Sequence, residues 1–290
     1  MAKVVFSIIV LNGEPFLESC IESLLPFGRV IAVEGPVTYW QKRGYTTSTD
    51  NTNTVLNRLL GADNVIHGIW NEKNDMLRAA ERMIPDDASH IFCVDSDEIW
   101  KAEDLVKIFE ILDGWDSVAF KPYSFYGGFE RYMTGYEEEC PPWGWQRIQR
   151  WFPGAVWKTH RPPTILSPDG DAWRDHQHLS ANNTAAMSVH FFHYSYCLPN
   201  QMKDKADYYA YRNPNGTIPN YFEQVYLPWV RGDDRAKKQI EHKWRGVHNE
   251  LPSKRGDCFT REFKGEHPPA IAKRLPELRE RFARELEQFK

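Results

Sequence analysis

The chain has 290 residues, enough for one large α/β domain or for a domain of about 200 residues with an appendage. Its apolar fraction of 41% and charged fraction of 26% are those of an ordinary soluble globular protein. No apolar run approaches the length of a membrane span, which excludes a membrane-spanning helix.

The five cysteines are scattered and form no Cys-x-x-Cys pair, so we expect neither a disulfide framework nor a cysteine zinc site. The N-terminal VVFSIIVL is too short for a signal peptide and lacks a small-residue cleavage site. Both features predict a cytoplasmic protein.

The net charge of −4 is unevenly spread, because residues 231–290 hold 16 Lys and Arg against 11 Asp and Glu. This excess predicts either an anionic partner or a solvated pair of charged helices.

The first 121 residues alternate between strand-like and helix-like segments. Strands are predicted at 3–11, 29–34, 64–70, 90–95 and 117–121, and helices at 14–25, 50–60, 71–84 and 102–112. This alternation predicts βαβ units and a doubly wound, mainly parallel sheet of the Rossmann-like α/β class. Ligands of such sheets bind outside the carboxyl ends of the strands, so Asn12, Glu34, Trp70 and Asp95 should share one rim.

The regular alternation stops after residue 121. Residues 122–187 are predicted to form loops and short strands that lie over the sheet, and 186–196 is strand-like again. Helices are predicted around 202–211, 233–244 and 270–289. We therefore expect a catalytic domain at 1–200 and a helical C-terminal extension at 201–290 that could lie on the acceptor side.

The segment HIFCVDSDEIW ends a predicted buried strand on three carboxylates, those of Asp95, Asp97 and Glu98. These groups repel one another unless a positive charge lies beside them. Carboxylate oxygens suit Mg²⁺ and Mn²⁺, which bind one or two carboxylates together with phosphate oxygens. The alternative is that the carboxylates only cap the following helix.

Several motifs, in this order and spacing, resemble those of GT-A-fold glycosyltransferases of the family-2-like kind, which use nucleotide-diphosphate sugars. They are SIIVLNGEPFLESCIESLLPF, RVIAVEGP, TSTDNT, WNEKNDMLRAAE, HIFCVDSDEIW and FHYSYCLPNQMKDKADYY. The resemblance covers residues 3–121 and 186–210. It implies the GT-A fold, a bound Mn²⁺ or Mg²⁺ and a donor sugar on a uridine or guanosine diphosphate.

The resemblance also implies the metal ligands. Asp95 and Asp97 would hold the metal, with Asp97 as the more direct ligand, and a later histidine would complete the site. His190 and His193 compete for that role, and three residues apart on a strand they point to opposite faces. The motif match favours His193.

The same resemblance implies residues that bind the nucleotide sugar. They are Asn12, Glu14, Glu34, Lys73, Arg78, Asp95, Ser96 and Lys205. The sequence Val33–Glu34–Gly35 departs from the Asp-Asp or Asp-Gly-Ser of many relatives, which leaves the base open. Lys73 and Arg78 could contact phosphate or pair with Glu72 and Glu81. Lys205 could meet the diphosphate as a point charge or remain an ordinary surface lysine.

An inverting enzyme of this class needs a base that takes the proton of the acceptor hydroxyl. The candidates are residues 137–139, Asp171, Asp175 and, less favoured, His160; the aromatic and histidine neighbours in WRDHQH favour Asp175. The acceptor itself could stack on Trp143, Trp145, Trp151 or Trp157, with a phosphate held by Arg147 and Arg150. A phosphorylated glycan or a nucleic acid would fit such a site.

The sequence therefore predicts a metal-dependent glycosyltransferase that moves a hexose or pentose to an acceptor hydroxyl of a glycan, a small molecule or a modified nucleic acid. One alternative is an aspartyl phosphatase or phosphotransferase, which also has Asp-x-Asp after a strand. Those enzymes carry Thr or Val where this chain has Ile99. The other alternative is a sugar-binding module without catalytic activity.

Overall fold

The computed structural model describes residues 3–135, 145–161, 163–171 and 176–290, and they divide into two compact units. Of the described residues, 3–121 and those within 145–191 form unit 1, and 122–135 and 192–290 form unit 2. The division between a catalytic domain at 1–200 and an extension at 201–290 stays a prediction.

Thirteen strands and twelve α-helices are formed by the described residues. The strands are β1 (Val4–Val10), β2 (Arg29–Glu34), β3 (Val65–His67), β4 (His90–Asp95), β5 (Glu98–Ile99), β6 (Ser117–Tyr126), β7 (Arg131–Met133), β8 (Trp145–Arg150), β9 (Val156–Thr159), β10 (Thr164–Leu166), β11 (His178–Leu179), β12 (His190–Tyr196) and β13 (Thr260–Glu262). The α-helices are α1 (Leu17–Leu24), α2 (Thr38–Gln41), α3 (Thr52–Leu60), α4 (Lys73–Glu81), α5 (Ala102–Ile111), α6 (Ala181–Ala186), α7 (Pro199–Arg212), α8 (Leu227–Arg231), α9 (Asp234–Trp244), α10 (Pro252–Arg255), α11 (Pro269–Ala272) and α12 (Leu275–Glu287).

The sheet of unit 1 is mainly parallel, which confirms the predicted α/β class. Its strands lie in the order β3-β2-β1-β4-β8-β6-β11, and β8 is antiparallel to both of its neighbours. On one face, alternate residues of β1 pack against α1, α3 and α5 around Phe6, Phe92 and Trp100. The helix α4 also packs against β1 and β2, but its buried Met76 and Leu77 are not part of this core. Helices therefore cover both faces of the sheet, as in a doubly wound fold.

The carboxyl ends of the parallel strands meet at one edge. Val10 of β1 lies beside Glu34 of β2, Ile9 lies beside Asp95 of β4, and Glu34 lies beside His67 of β3. This register confirms that Glu34 and Asp95 share a rim.

The position of β8 differs from the prediction. Residues 145–150 were expected among loops and short strands over the sheet, but they form a strand within it, between β4 and β6. The sequence hides this strand because Gln146, Arg147 and Gln149 are buried, which breaks the usual alternation of apolar and polar residues. The helix α4 also begins two residues later than the predicted start at residue 71, because Glu72 is its N-cap residue.

Unit 2 joins short antiparallel strands to the C-terminal helices. Strand β7 pairs with β13 and with the end of β6, and the core forms around Tyr126, Met202, Phe222 and Trp229. The helices predicted around 202–211, 233–244 and 270–289 are present as α7, α9 and the pair α11 and α12. None of the described helices has the length and apolarity that a membrane span requires.

Candidate functional site

The segment TSTDNT, residues 47–52, is bound to the carboxyl ends of β1 and β2. The Ser48 amide donates to Glu34 Oε1 over 2.6 Å, and the Thr49 amide donates to Asn12 Oδ1 over 2.8 Å. Glu34 is only 1% exposed, and its other oxygen lies 3.1 Å from His67 Nδ1. Asn12 and Glu34 therefore shape this rim, and their direct contact with a nucleotide stays a prediction.

Three more of the predicted donor-binding residues lie in loops or at a helix start. The Glu14 amide donates to Asp50 Oδ2 over 3.1 Å, so Glu14 belongs to the same rim loop. Lys73 is the first residue of α4 and is half-buried, and Ser96 is half-buried in the turn after β4. Contact of any of these three with a donor remains predicted.

The acidic turn after β4 is partly neutralised by two arginines of distant segments. Arg147 Nε donates to Glu98 Oε2 over 3.0 Å, and its Nη2 pairs with Glu98 Oε1. The same Nη2 lies 3.5 Å from Asp95 Oδ2, which also forms an ion pair with Arg161 Nη2. Both arginines come from segments more than 45 residues further along the chain. Their charge offsets the repulsion among the three carboxylates of the turn.

The two arginines also determine the charge of Asp95. Burial alone would raise the pKa of this carboxyl, but Arg161 and Arg147, with smaller contributions from His160 and Lys73, hold the pKa well below its usual range. Asp95 is therefore ionised at neutral pH. Its carboxylate oxygens lie within 4.8 Å of those of Glu98.

One face of α4 holds the segment that carries Arg161. Asn74 Oδ1 accepts a hydrogen bond of 2.6 Å from the His160 amide, and Glu81 Oε1 accepts one of 2.6 Å from the Trp157 amide. Arg78 Nε donates to the Trp157 carbonyl over 3.2 Å. These α4 residues are four and three positions apart, so they lie along one side of the helix. Arg78 thus has a structural contact, and its contact with phosphate stays a prediction.

The opposite end of the same segment is held by Gln149 of β8. Its Nε2 donates to the Pro163 carbonyl over 2.7 Å, and its Oε1 accepts from the Ile165 amide over 2.9 Å. Because residues on both sides of Arg161 are anchored within unit 1, its guanidinium is directed to the acidic turn.

We expect Glu81→Ala to lower the free energy of unfolding by about 1–3 kcal/mol, because the buried Trp157 amide loses its acceptor. Urea denaturation of the wild type and the variant measures this change. Glu110→Ala, at an exposed position of α5, is the matched control and should change stability by less than about 0.5 kcal/mol. Equal effects of the two substitutions would contradict the anchoring role of Glu81.

His160 lies next to this cluster, with its side chain almost fully buried. Burial first, and then the charges of Arg161 and Lys73, lower the pKa of His160 well below its usual value. The imidazole is therefore neutral and a weak proton acceptor, which disfavours His160 as the general base. Its Nε2 atom is buried without a hydrogen-bond partner among the described residues.

His190, His193 and Lys205, which were also predicted as site residues, have contacts within their own units. In unit 2, His193 is buried and its Nδ1 lies 3.3 Å from Ser124 Oγ, while Lys205 Nζ lies 4.7 Å from the centre of the Tyr196 ring. In unit 1, the His190 amide donates to the Asp104 carboxylate. Metal ligation by His193 and diphosphate binding by Lys205 stay predictions.

Several candidates for the base and the acceptor site remain open. Asp175, residues 137–139 and Trp143 lie outside the described residues. Asp171 is exposed, and its amide donates to Ser167 Oγ over 3.1 Å. The predicted phosphate role of Arg147 and Arg150 is not favoured by their contacts, because Arg147 is 1% exposed and Arg150 pairs with Asp116.

The sequence reasoning missed two features of this site, the Arg147–Glu98 pair and Arg161. A signal existed for the first, since three adjacent carboxylates after a buried strand require a cation. Nothing in the sequence identifies which arginine provides it. Arg161 precedes a Pro-Pro pair, which is typical of a loop and gives no indication of its partner.

Among solved structures the chain is similar to GT-A-type glycosyltransferases. One is residues 1–349 of Staphylococcus aureus TarS in complex with UDP-GlcNAc, with 12% identity and a TM-score of 0.40 over 84% of this chain and 80% of that chain. The same TarS fragment with UDP matches at 17% identity and a TM-score of 0.31, over 41% of this chain and 36% of that chain.

A second similar protein is glucosyl-3-phosphoglycerate synthase of Mycobacterium tuberculosis with Mn²⁺, UDP and glucosyl-3-phosphoglycerate. It matches at 20% identity and a TM-score of 0.32, over 43% of this chain and 44% of that chain. This match and the one to TarS with UDP thus span less than half of each solved chain. No protein-family model and no curated protein matches the chain. Its function is therefore inferred from the residues of the site and their contacts.

Proposed function

We propose that this protein is a glycosyltransferase that moves a hexose or pentose from a nucleotide-diphosphate sugar to an acceptor hydroxyl. In this reaction the acceptor oxygen forms a bond to the anomeric carbon while the bond from that carbon to the diphosphate breaks. The bonding electrons leave with the nucleoside diphosphate, and the hydroxyl proton passes to a base or to the leaving phosphate. We propose uridine or guanosine as the nucleoside of the donor.

The observation that carries the proposal is the ionised Asp95 at the carboxyl end of β4, on the rim that it shares with the ends of β1, β2 and β3. Ligands of parallel α/β sheets bind along such a rim. Asn12, Glu34 and Lys73 lie at the ends of β1 and β2 and at the start of α4. Together these elements provide a hydrogen-bonded loop, a carboxylate and a cation of the kinds that a nucleotide diphosphate and its counter-ion need.

The donor set fits a hard divalent cation, Mn²⁺ or Mg²⁺. Asp95 and Asp97 provide carboxylate oxygens from one turn, and oxygen ligands are those that these ions prefer. When bound, such an ion neutralises charge that develops on the leaving diphosphate. We propose Asp97 as the more direct ligand and His193 as the third one, on the strength of the sequence resemblance.

The acceptor side is proposed from charge and from the sequence alone. The excess of Lys and Arg in residues 231–290 supports an anionic acceptor, such as a phosphorylated glycan. Several of these charges are paired within unit 2, including Arg245 with Asp257 and Arg279 with Glu130. Asp175 is the proposed base.

The test is incubation with a panel of UDP and GDP sugars and Mn²⁺, with slow release of free sugar and nucleoside diphosphate as the readout. We expect hydrolysis of one donor, its loss after chelation with EDTA, and its recovery when Mn²⁺ is restored. Release of inorganic phosphate whatever the sugar would instead identify a phosphatase. Binding of a sugar nucleotide without turnover in the presence of candidate acceptors would identify a sugar-binding module.

A further inference from the structure

The two guanidinium groups on Asp95 differ in how firmly they are held. Arg147 is 1% exposed and forms a fork with the buried Glu98, so it cannot leave the turn without unpairing both charges. Arg161 is 38% exposed and forms an ion pair with the same oxygen of Asp95, Oδ2. Arg147 is therefore a fixed part of the turn, whereas Arg161 can exchange Asp95 for another anion.

The surroundings of Arg161 contain groups that could bind such an anion. Its guanidinium lies 5.3 Å from the centre of the Trp145 ring. The positive charges of Lys73 and Arg161 both act on His160, whose buried Nε2 atom lacks a partner among the described residues. A neutral imidazole can donate one hydrogen bond to a phosphate oxygen. A diphosphate would thus satisfy His160 and find two cations.

We propose that Arg161 holds Asp95 in the donor-free protein and passes to the diphosphate of the donor when a divalent cation takes its place on Asp95. This inference rests on the proposed function and assigns a positioning role to Arg161, with His160 and Lys73 as its partners at the diphosphate. Asp95 then has a positive partner in both states. Arg161 likewise has an anionic partner before and after the exchange.

The exchange couples the binding of the cation to that of the nucleotide. A divalent cation alone must displace Arg161 from Asp95 and leaves the guanidinium without its carboxylate, which weakens cation binding. A diphosphate that arrives with the cation gives Arg161 a new partner in a charge-assisted, forked hydrogen bond. Each ligand therefore increases the affinity for the other, and by linkage the two effects are equal.

Removal of the guanidinium should change the two affinities in opposite directions. In Arg161→Gln we expect Mn²⁺ without nucleotide to bind about five- to tenfold more tightly, because the guanidinium of Arg161 no longer competes for Asp95. We expect UDP or GDP at saturating Mn²⁺ to bind about tenfold more weakly, because one charged contact to the diphosphate is lost. Free Mn²⁺ is measured by electron paramagnetic resonance, and nucleotide binding by isothermal titration calorimetry.

Two further variants isolate the cause. Lys158→Gln removes one positive charge from an exposed position three residues earlier and should change neither affinity by more than about twofold. Arg161→Lys keeps the positive charge but cannot form the forked hydrogen bond of a guanidinium. Its Mn²⁺ affinity should therefore stay as weak as that of the wild type, and most of the nucleotide affinity should still be lost. Circular dichroism and thermal unfolding check that every variant is folded.

The outcomes separate this inference from the proposed function. Tighter Mn²⁺ binding by Arg161→Gln supports the exchange at Asp95 even if neither UDP nor GDP binds, a result that would count against the glycosyltransferase proposal alone. Unchanged or weaker Mn²⁺ binding by Arg161→Gln would overturn the exchange. If the wild type binds UDP or GDP, an equal nucleotide affinity in Arg161→Gln would also overturn it. If no variant binds Mn²⁺, both proposals are wrong.

Discussion

Asp97→Asn is expected to abolish sugar transfer while the protein stays folded. Asp97 is half-buried in the turn between Asp95 and Glu98, and the substitution exchanges an anionic oxygen ligand for a neutral amide of nearly the same size. A divalent cation loses the charge of the ligand proposed to be the more direct one, so turnover should fall by at least about 100-fold. The measurement is release of nucleoside diphosphate from the best donor at saturating Mn²⁺.

Folding should not suffer from this change. Asp97 is half-buried, and Asn has nearly the same size and shape, so the substitution leaves no cavity in the turn. Thermal unfolding should therefore give a midpoint close to that of the wild type. Asp86→Asn, the same change at an exposed position before β4, is the control and should keep full activity. Full activity of Asp97→Asn in metal-depleted buffer would show that the assignment of the turn is wrong.

The parallel half of the sheet was predictable because each of its strands is identified by a short stretch of neighbouring residues. Each of β1, β2 and β4 is a short, mainly apolar run, and each is followed along the chain by a helix with one apolar face. Such runs identify strands that are buried on both faces, and the right-handed βαβ rule then limits the topology. The shared rim follows from the same rule, which is why the sequence alone places Glu34 and Asp95 together.

The antiparallel part and the arginines of the site were not predictable in this way. Strand β8 has the sequence WQRIQR, and the side chains of its buried Arg147 and Gln149 bond to residues 14 to 49 positions away along the chain. Arg147 meets Glu98 across 49 positions, and Arg161 meets Asp95 across 66. Spacing and periodicity describe neighbours within about ten residues, so pairings of this range appear only with the three-dimensional fold.

The two long-range arginines change how the predicted metal site at the turn is understood. The sequence predicted that something positive must lie beside Asp95, Asp97 and Glu98, and the structure gives two guanidinium groups that fulfil part of that need without a metal. The charges therefore divide between a permanent pair, Arg147 with Glu98, and an exchangeable one, Arg161 with Asp95. Of these two pairs, only the second contains a carboxylate that a ligand could bind, in addition to that of Asp97.

Arg147→Met is expected to lower the free energy of unfolding by about 3–5 kcal/mol, the largest effect on stability that we predict. Glu98 is fully buried, and the substitution removes its forked partner and leaves a buried charge without compensation. Urea denaturation followed by tryptophan fluorescence measures the change, since Trp145 and Trp100 lie in unit 1. Arg82→Met, at an exposed position just after α4, is the matched control and should cost less than about 0.5 kcal/mol.

The double variant Glu98→Gln/Arg147→Met separates the lost pair from lost packing. If the unpaired charge causes most of the destabilisation, its removal should restore at least half of the stability lost in Arg147→Met, because a buried amide costs less than a buried carboxylate. A double variant as unstable as Arg147→Met would mean that the side chain of Arg147 acts mainly by filling space beside Trp145 and Phe191, whose rings lie 5.0 and 5.3 Å from its guanidinium. The acidic turn would then be held by packing, and the distinction between a permanent and an exchangeable arginine would rest on Arg161 alone.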